Sequence, residues 1–155
     1  MHKNWIVVVS NRGAKIFEAQ KGSSQLVCLE VLDHPEGRMK VGELETDRPG
    51  STMKGGREKG GANLKMMRGH SDLKQNSDDV FAKKVLDHLN EKRNVHKFEK
   101  LLLVTEPAFE THLSKHMPHE LEKVIDEVVH KNYYQLQTDE IYSRLKDQII
   151  YSFPV

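Results

Sequence analysis

Three histidines come first among the residues with chemistry to offer. His112, His116 and His119 are spaced i, i+4, i+7, with Glu120 beside the last. On one unbroken helix the first two would share a face, and two imidazoles so placed can ligate zinc. Pro118 lies between the second and the third and is expected to end that helix. Surface histidines without a metal are therefore the expected state. Carboxylates come next. A two-metal nuclease needs several of them converging at the centre of a sheet. The first apolar run, Val7-Val8-Val9-Ser10-Asn11, supplies none, and Asp33 and Glu106 are isolated. Ser10, Ser51 and Ser77 lack a G-x-S-x-G context, so a hydrolase triad has no motif behind it. No Gly-Lys-Ser/Thr completes a phosphate-binding loop and no G-x-G-x-x-G is present, so no nucleotide cofactor is expected. The balance leans away from an enzyme. An uncharacterised catalytic cleft could draw on Arg12, Glu43, Asp47 and Arg48. The simpler reading is that Asp47 and Arg48 brace a turn beside Pro49.

The strongest signal is cationic and glycine-rich. Lys54-Gly55-Gly56-Arg57-Glu58-Lys59-Gly60-Gly61 lies inside a long polar stretch, 34–74, that opens with His34-Pro35-Glu36-Gly37-Arg38. From Lys54 to Lys74 six basic residues (Lys54, Arg57, Lys59, Lys65, Arg68, Lys74) face two acidic ones (Glu58, Asp72), a local charge of +4 in a chain whose net charge is +1. Five of the ten glycines fall between Gly50 and Gly61. Backbone amides around paired glycines can cradle anions, and flanking Lys and Arg add charge-assisted contacts to phosphate. A loop this long is uncommon in a compact domain unless it is functional or disordered. Near-neutral net charge argues against wholesale coating of nucleic acid, so any RNA contact should be a local patch.

The remaining sequence must position that segment. At 155 residues, 1–155 is expected to form a single domain with a real core. Trp5–Val9 reads as a strand buried on both faces. Asn11-Arg12-Gly13 marks a turn, Ala14, Ile16 and Phe17 lead a second strand, and Leu26–Leu32 form a third. The single cysteine, Cys28, lies in that apolar run and is expected to be buried. After the loop, a helix is expected between Ser71 and Lys92, with Ser77-Asp78-Asp79 as its start signal and Phe81, Val85 and Leu89 as its buried stripe. Lys100–Thr105 reads as a strand and Pro107–Lys115 as a short helix. From Pro118, the spacing of Leu121, Val124, Ile125, Val128 and Val129 predicts another helix. His130–Gln137, with its two tyrosines, reads as a fifth strand, and Thr138 starts a last helix with Ile141, Leu145 and Ile149 inward. Three antiparallel strands followed by βα units make an α/β protein with a mixed five-stranded sheet, helices on both faces and a long loop after strand three. This is the order of an RNase H-like fold. Neither a signal peptide nor an apolar run of membrane-spanning length is visible, so a soluble, cytoplasmic protein without a membrane partner is expected.

Two resemblances extend this reading. Trp5–Val9, Ala14-Lys15-Ile16-Phe17, His34–Arg38, Gly42-Glu43-Leu44, Asp47-Arg48-Pro49-Gly50, Phe81-Ala82-Lys83 and Leu101–Val104 with Pro107 resemble the bacterial family of proteins required for attachment to host cells. An acidic residue would be expected at the end of strand one in that family, where this chain has Ser10-Asn11. The family in turn is similar to the middle domain of archaeal and eukaryotic class I peptide-chain release factors. That domain is RNase H-like, and its basic, glycine-rich loop ends in Gly-Gly-Gln, leads into a long helix and reaches the ribosomal peptidyl-transferase centre. Here Gly60-Gly61 is followed by Ala62. The resemblance therefore implies ribosome or RNA association through Lys54, Arg57, Lys59, Gly60, Gly61, Lys65 and Arg68. It does not imply peptide release, since alanine has no side-chain group to place water.

Overall fold

The computed structural model describes residues 3–20, 24–35 and 60–153, with 60–75 as helical backbone alone. Three strands open the chain: β1 (Asn4–Ser10), β2 (Gly13–Ala19) and β3 (Leu26–Asp33). Helix α1 (Gly60–Asn94) leads to β4 (Lys100–Thr105), and α2 (Pro107–His116) and the short α3 (His119–Glu122) precede β5 (Ile125–Val129). Helix α4 (Thr138–Ser152) ends the described chain. The sheet order is β3-β2-β1-β4-β5. β1 pairs antiparallel with β2 and parallel with β4; β2–β3 is antiparallel and β4–β5 parallel. This is the expected mixed α/β sheet, and its topology fits the RNase H-like order.

Alternation along β1 and β4 splits the core in two. Trp5, Val7, Val9, Leu101 and Leu103 face one side, with Phe81, Val85 and Leu89 of α1 and Phe109 and Leu113 of α2. Ile6, Val8, Leu102 and Val104 face the other, with Ile141 and Leu145 of α4. Helices thus cover both faces, which is why the two central strands read as unbroken apolar runs.

Four sequence expectations need correction. The helix expected from Ser71 begins at Gly60, so the anticipated loop 34–74 is helical over its last third. Residues 125–129, expected in a helix, form β5. The register shifts between Leu101 and Leu102, so Asp126 is an extra residue, and Ile125 and Val128 come to lie on the same face. An i, i+3 apolar spacing is thereby produced inside a strand. The run 130–137 is loop and turn, and Tyr133, Tyr134 and Leu136 pack as a flap against the α4-side cluster. Cys28 is exposed, on the edge strand.

Helix α1 ends where the His96 backbone takes a φ of 59°. Its N–H bonds to Arg93 O at 3.0 Å and the Lys97 N–H to Lys92 O at 3.0 Å, closing the last carbonyls before β4. At the other side of the sheet Gly13 begins β2 under Tyr134. A Cβ there would lie 2.7 Å from the Leu32 carbonyl oxygen and 2.8 Å from Tyr134 Cζ. Because one of these neighbours is backbone in a paired strand, Gly13→Ala is expected to destabilise the fold by about 2 kcal/mol. Urea denaturation measures this; a variant as stable as the parent would show that β3 or the tyrosine flap yields freely.

Candidate functional site

Three of the five buried polar residues among those described, Ser10, His34 and Asp78, gather around one imidazole. His34 immediately follows β3 and is 4 % exposed. Its Nδ1 lies 2.6 Å from the carbonyl oxygen of Asn11 in the β1–β2 turn. A carbonyl can only accept, so Nδ1 donates, and in the neutral ring Nε2 is left as an acceptor. Ser77 Oγ, in the interior of α1, lies 2.8 Å from Nε2. Its hydroxyl therefore donates to the ring. The carboxylate of Asp78, also buried, stands 3.8 Å from Nδ1. Phe81 stacks on the imidazole at 4.4 Å between centroids, with the planes 2° apart. The His34 backbone N–H is held by the Arg12 carbonyl at 3.2 Å, and the Arg12 N–H by Ser10 Oγ at 3.0 Å. One side chain thus ties the exit of β3, the β1–β2 turn and α1 together.

A second cluster lies on the outer side of the same stretch of α1. Asp79 Oδ1 accepts from His112 Nδ1 at 2.6 Å, Lys115 Nζ is 3.6 Å from Oδ2, and His116 Nε2 is 4.0 Å from Oδ1. The hydrogen bond from His112 does most to hold the Asp79 carboxyl below its ordinary value of 3.8. Partial burial opposes it, and the charges of Lys115, His112 and His116 add to the lowering. This pairing is what became of the histidine series. His112 and His116 share a face of α2 as the spacing implied, but they turn to a carboxylate on α1. His119 falls in α3, after a break at Met117-Pro118. Among the described residues no three potential ligands converge as a metal site. Two further histidine–carboxylate pairs join elements: His88 to Glu30 at 3.0 Å and His130 to Glu110 at 2.7 Å.

Of the residues expected to bind phosphate, Gly60, Gly61, Lys65 and Arg68 lie in the first turns of α1, and Lys54, Arg57 and Lys59 lie outside the described residues. Of the cleft candidates, Arg12 is exposed beside the His34 cluster, and Glu43, Asp47 and Arg48 lie outside the described residues. Sequence reasoning missed the roles of Ser77 and Asp78, which it took for a helix start. One signal could have found them. Asp78 continues the stripe Phe81-Val85-Leu89 one turn earlier, and an acid in an apolar stripe needs a partner inside the protein.

No described helix is long and apolar enough to cross a membrane. The fold and this cluster define an α/β protein whose mixed sheet is fastened by a buried histidine to the middle of a long helix. The family model described as "Protein required for attachment to host cells" matches residues 5–145, and the chain belongs to that family. No curated protein matches it.

Two outcomes are expected. His34→Ala removes two hydrogen bonds and a ring stack and should cost roughly 2–4 kcal/mol of stability. Combined with Ser77→Ala in a double-mutant cycle under urea, it should show a coupling of about 1 kcal/mol; additive losses would mean that the Ser77–His34 bond carries nothing. For Asp79, the folded carboxyl titrates below its unfolded value. Its contribution is therefore complete above about pH 4 and is lost as pH falls further. The stability difference between the parent and Asp79→Asn should shrink below about pH 4; a constant difference down to pH 2.5 would contradict the His112 pairing.

Proposed function

We propose that this protein is a ribosome- or RNA-associated accessory factor, in which segment 54–74 meets phosphate. The observation that carries the reading is the start of α1. A 35-residue helix opens on Gly60-Gly61 with no acidic residue in its first turn. Its N-terminal amides carry the positive end of the helix dipole, and unpaired N–H groups there favour anions. Lys54, Arg57 and Lys59 precede that end, and Lys65 and Arg68 follow it within about two turns. Gly60 lies about 25 Å along the axis from Ser77, where the helix is fastened to the sheet. A basic, glycine-rich stretch leading into a long helix is also what the resemblance to release-factor middle domains implies. Ala62 in place of glutamine makes the role one of binding, without peptide release. On this reading the family's host-attachment description names a phenotype that the protein serves indirectly, from the cytoplasm.

Purified protein should co-sediment with ribosomes at low salt and be released as salt rises. Lys65→Glu with Arg68→Glu should weaken binding at least tenfold and reduce the slope of log K against log salt by roughly 1.5, as expected for two lost phosphate contacts. Absence from the ribosomal pellet at low salt, or unchanged binding and slope in the double variant, would overturn the proposal.

A further inference from the structure

The Ser77–His34 pair has the geometry of an activated nucleophile, and nothing in the phosphate-binding reading uses it. The two residues are 43 positions apart, so no local motif reveals them. Ser77 is half-buried on the flank of α1, while His34 behind it is sealed. Three features go beyond a simple fastening. Nδ1–H is committed to the Asn11 carbonyl at 2.6 Å, which fixes the tautomer with its Nε2 lone pair on the serine hydroxyl. Phe81 holds the ring plane. Asp78 stands 3.8 Å from Nδ1, where it would offset the charge of an imidazolium. A nucleophile within hydrogen-bond reach of a base, with that base oriented by a third group, is the arrangement that activates serine.

We infer that Ser77 is a nucleophile toward activated acyl esters, with His34 as its general base and Asp78 as a positioning residue. Ser77 Oγ attacks the ester carbonyl carbon and its proton passes to His34 Nε2. The bond from that carbon to the leaving oxygen breaks, and the alcohol departs with the proton. Water then attacks the acyl-serine, gives its proton to Nε2, and that proton returns to Ser77 Oγ as the carboxylic acid leaves. The backbone amides flanking Ser77 are inside α1 and committed to helical hydrogen bonds, so this helix offers no preformed donors for a tetrahedral oxyanion. The reaction is accordingly slow, demands a good leaving group, and is best seen as a covalent adduct.

The test treats the full chain with p-nitrophenyl acetate and, separately, with a fluorophosphonate probe, followed by intact-mass and peptide mass spectrometry. One adduct on Ser77 is expected, absent from Ser77→Ala and from urea-unfolded chain, and formed about a hundredfold more slowly in His34→Gln. Asp78→Asn should slow it by a smaller factor. Should the His34 variant unfold, Ser77→Cys supplies an independent measure. Its thiol beside His34 should react with iodoacetamide at least about tenfold faster than exposed Cys28 of the same molecule. No adduct, labelling that survives unfolding or the His34 substitution, or a Cys at 77 no faster than Cys28 would each reduce the pair to a structural fastening.

Discussion

The structure depends on the double pairing of β1. It is hydrogen-bonded to β2 on one side and to β4 on the other, and every residue from Trp5 to Ser10 is buried. Side chains of a strand so placed meet protein on both faces, and its sequence is accordingly apolar from Trp5 to Val9; Ser10, also buried, closes it with its Oγ accepting from the Arg12 N–H. The antiparallel and parallel halves of the sheet meet along this strand. Its carboxyl end is the point from which the chain can turn back through Asn11 and Arg12, and those two backbone carbonyls receive His34. The buried histidine is therefore a consequence of the sheet's change of direction: the exit of β3, the β1–β2 turn and α1 converge there, and imidazole has the two ring nitrogens needed to satisfy two of them.

That convergence matters for the basic segment. The chain leaves the sheet at His34 and is fastened to it again at Ser77, so both ends of segment 35–76 are held by one side chain. The stack on Phe81 and the packing of Val85, Leu86 and Leu89 then make the C-terminal part of α1 rigid. Two further polar contacts of α1 with its neighbours, His88 to Glu30 and Asp79 to His112, are histidine–carboxylate pairs.

Much of the architecture was legible in the chain. Continuous apolar runs identified β1 and β4, the Asn11-Arg12-Gly13 turn separated β1 from β2, and the stripes of α1 and α4 faced the core as their spacing implied. The start of α1 was misplaced because Gly60-Gly61, poor helix formers, lie inside it. The site was hardly legible. His34 was visible only as part of a His-Pro turn, and Ser77-Asp78 resembled a helix cap because Ser and Asp are preferred there. What makes the three a unit is contact across the fold, and its periodic trace is confined to Asp78 in line with the apolar stripe of α1.

By itself the sequence determined that the central strands β1 and β4 are buried on both faces, since their unbroken apolar runs leave no side to meet water, whereas the largely apolar β3 lies exposed at the sheet edge. It also determined where positive charge accumulates, because that is a matter of composition. Only the tertiary structure decided which face each residue meets once a strand is irregular. Leu26 and Leu32 have the same parity in β3 yet pack on opposite sides of the sheet, because Leu29 is an extra residue between Cys28 and Glu30. Asp126 does the same in β5 and lends a strand the spacing of a helix. A bulge shifts the register by one residue, and in a structure of period two that reverses every side chain beyond it.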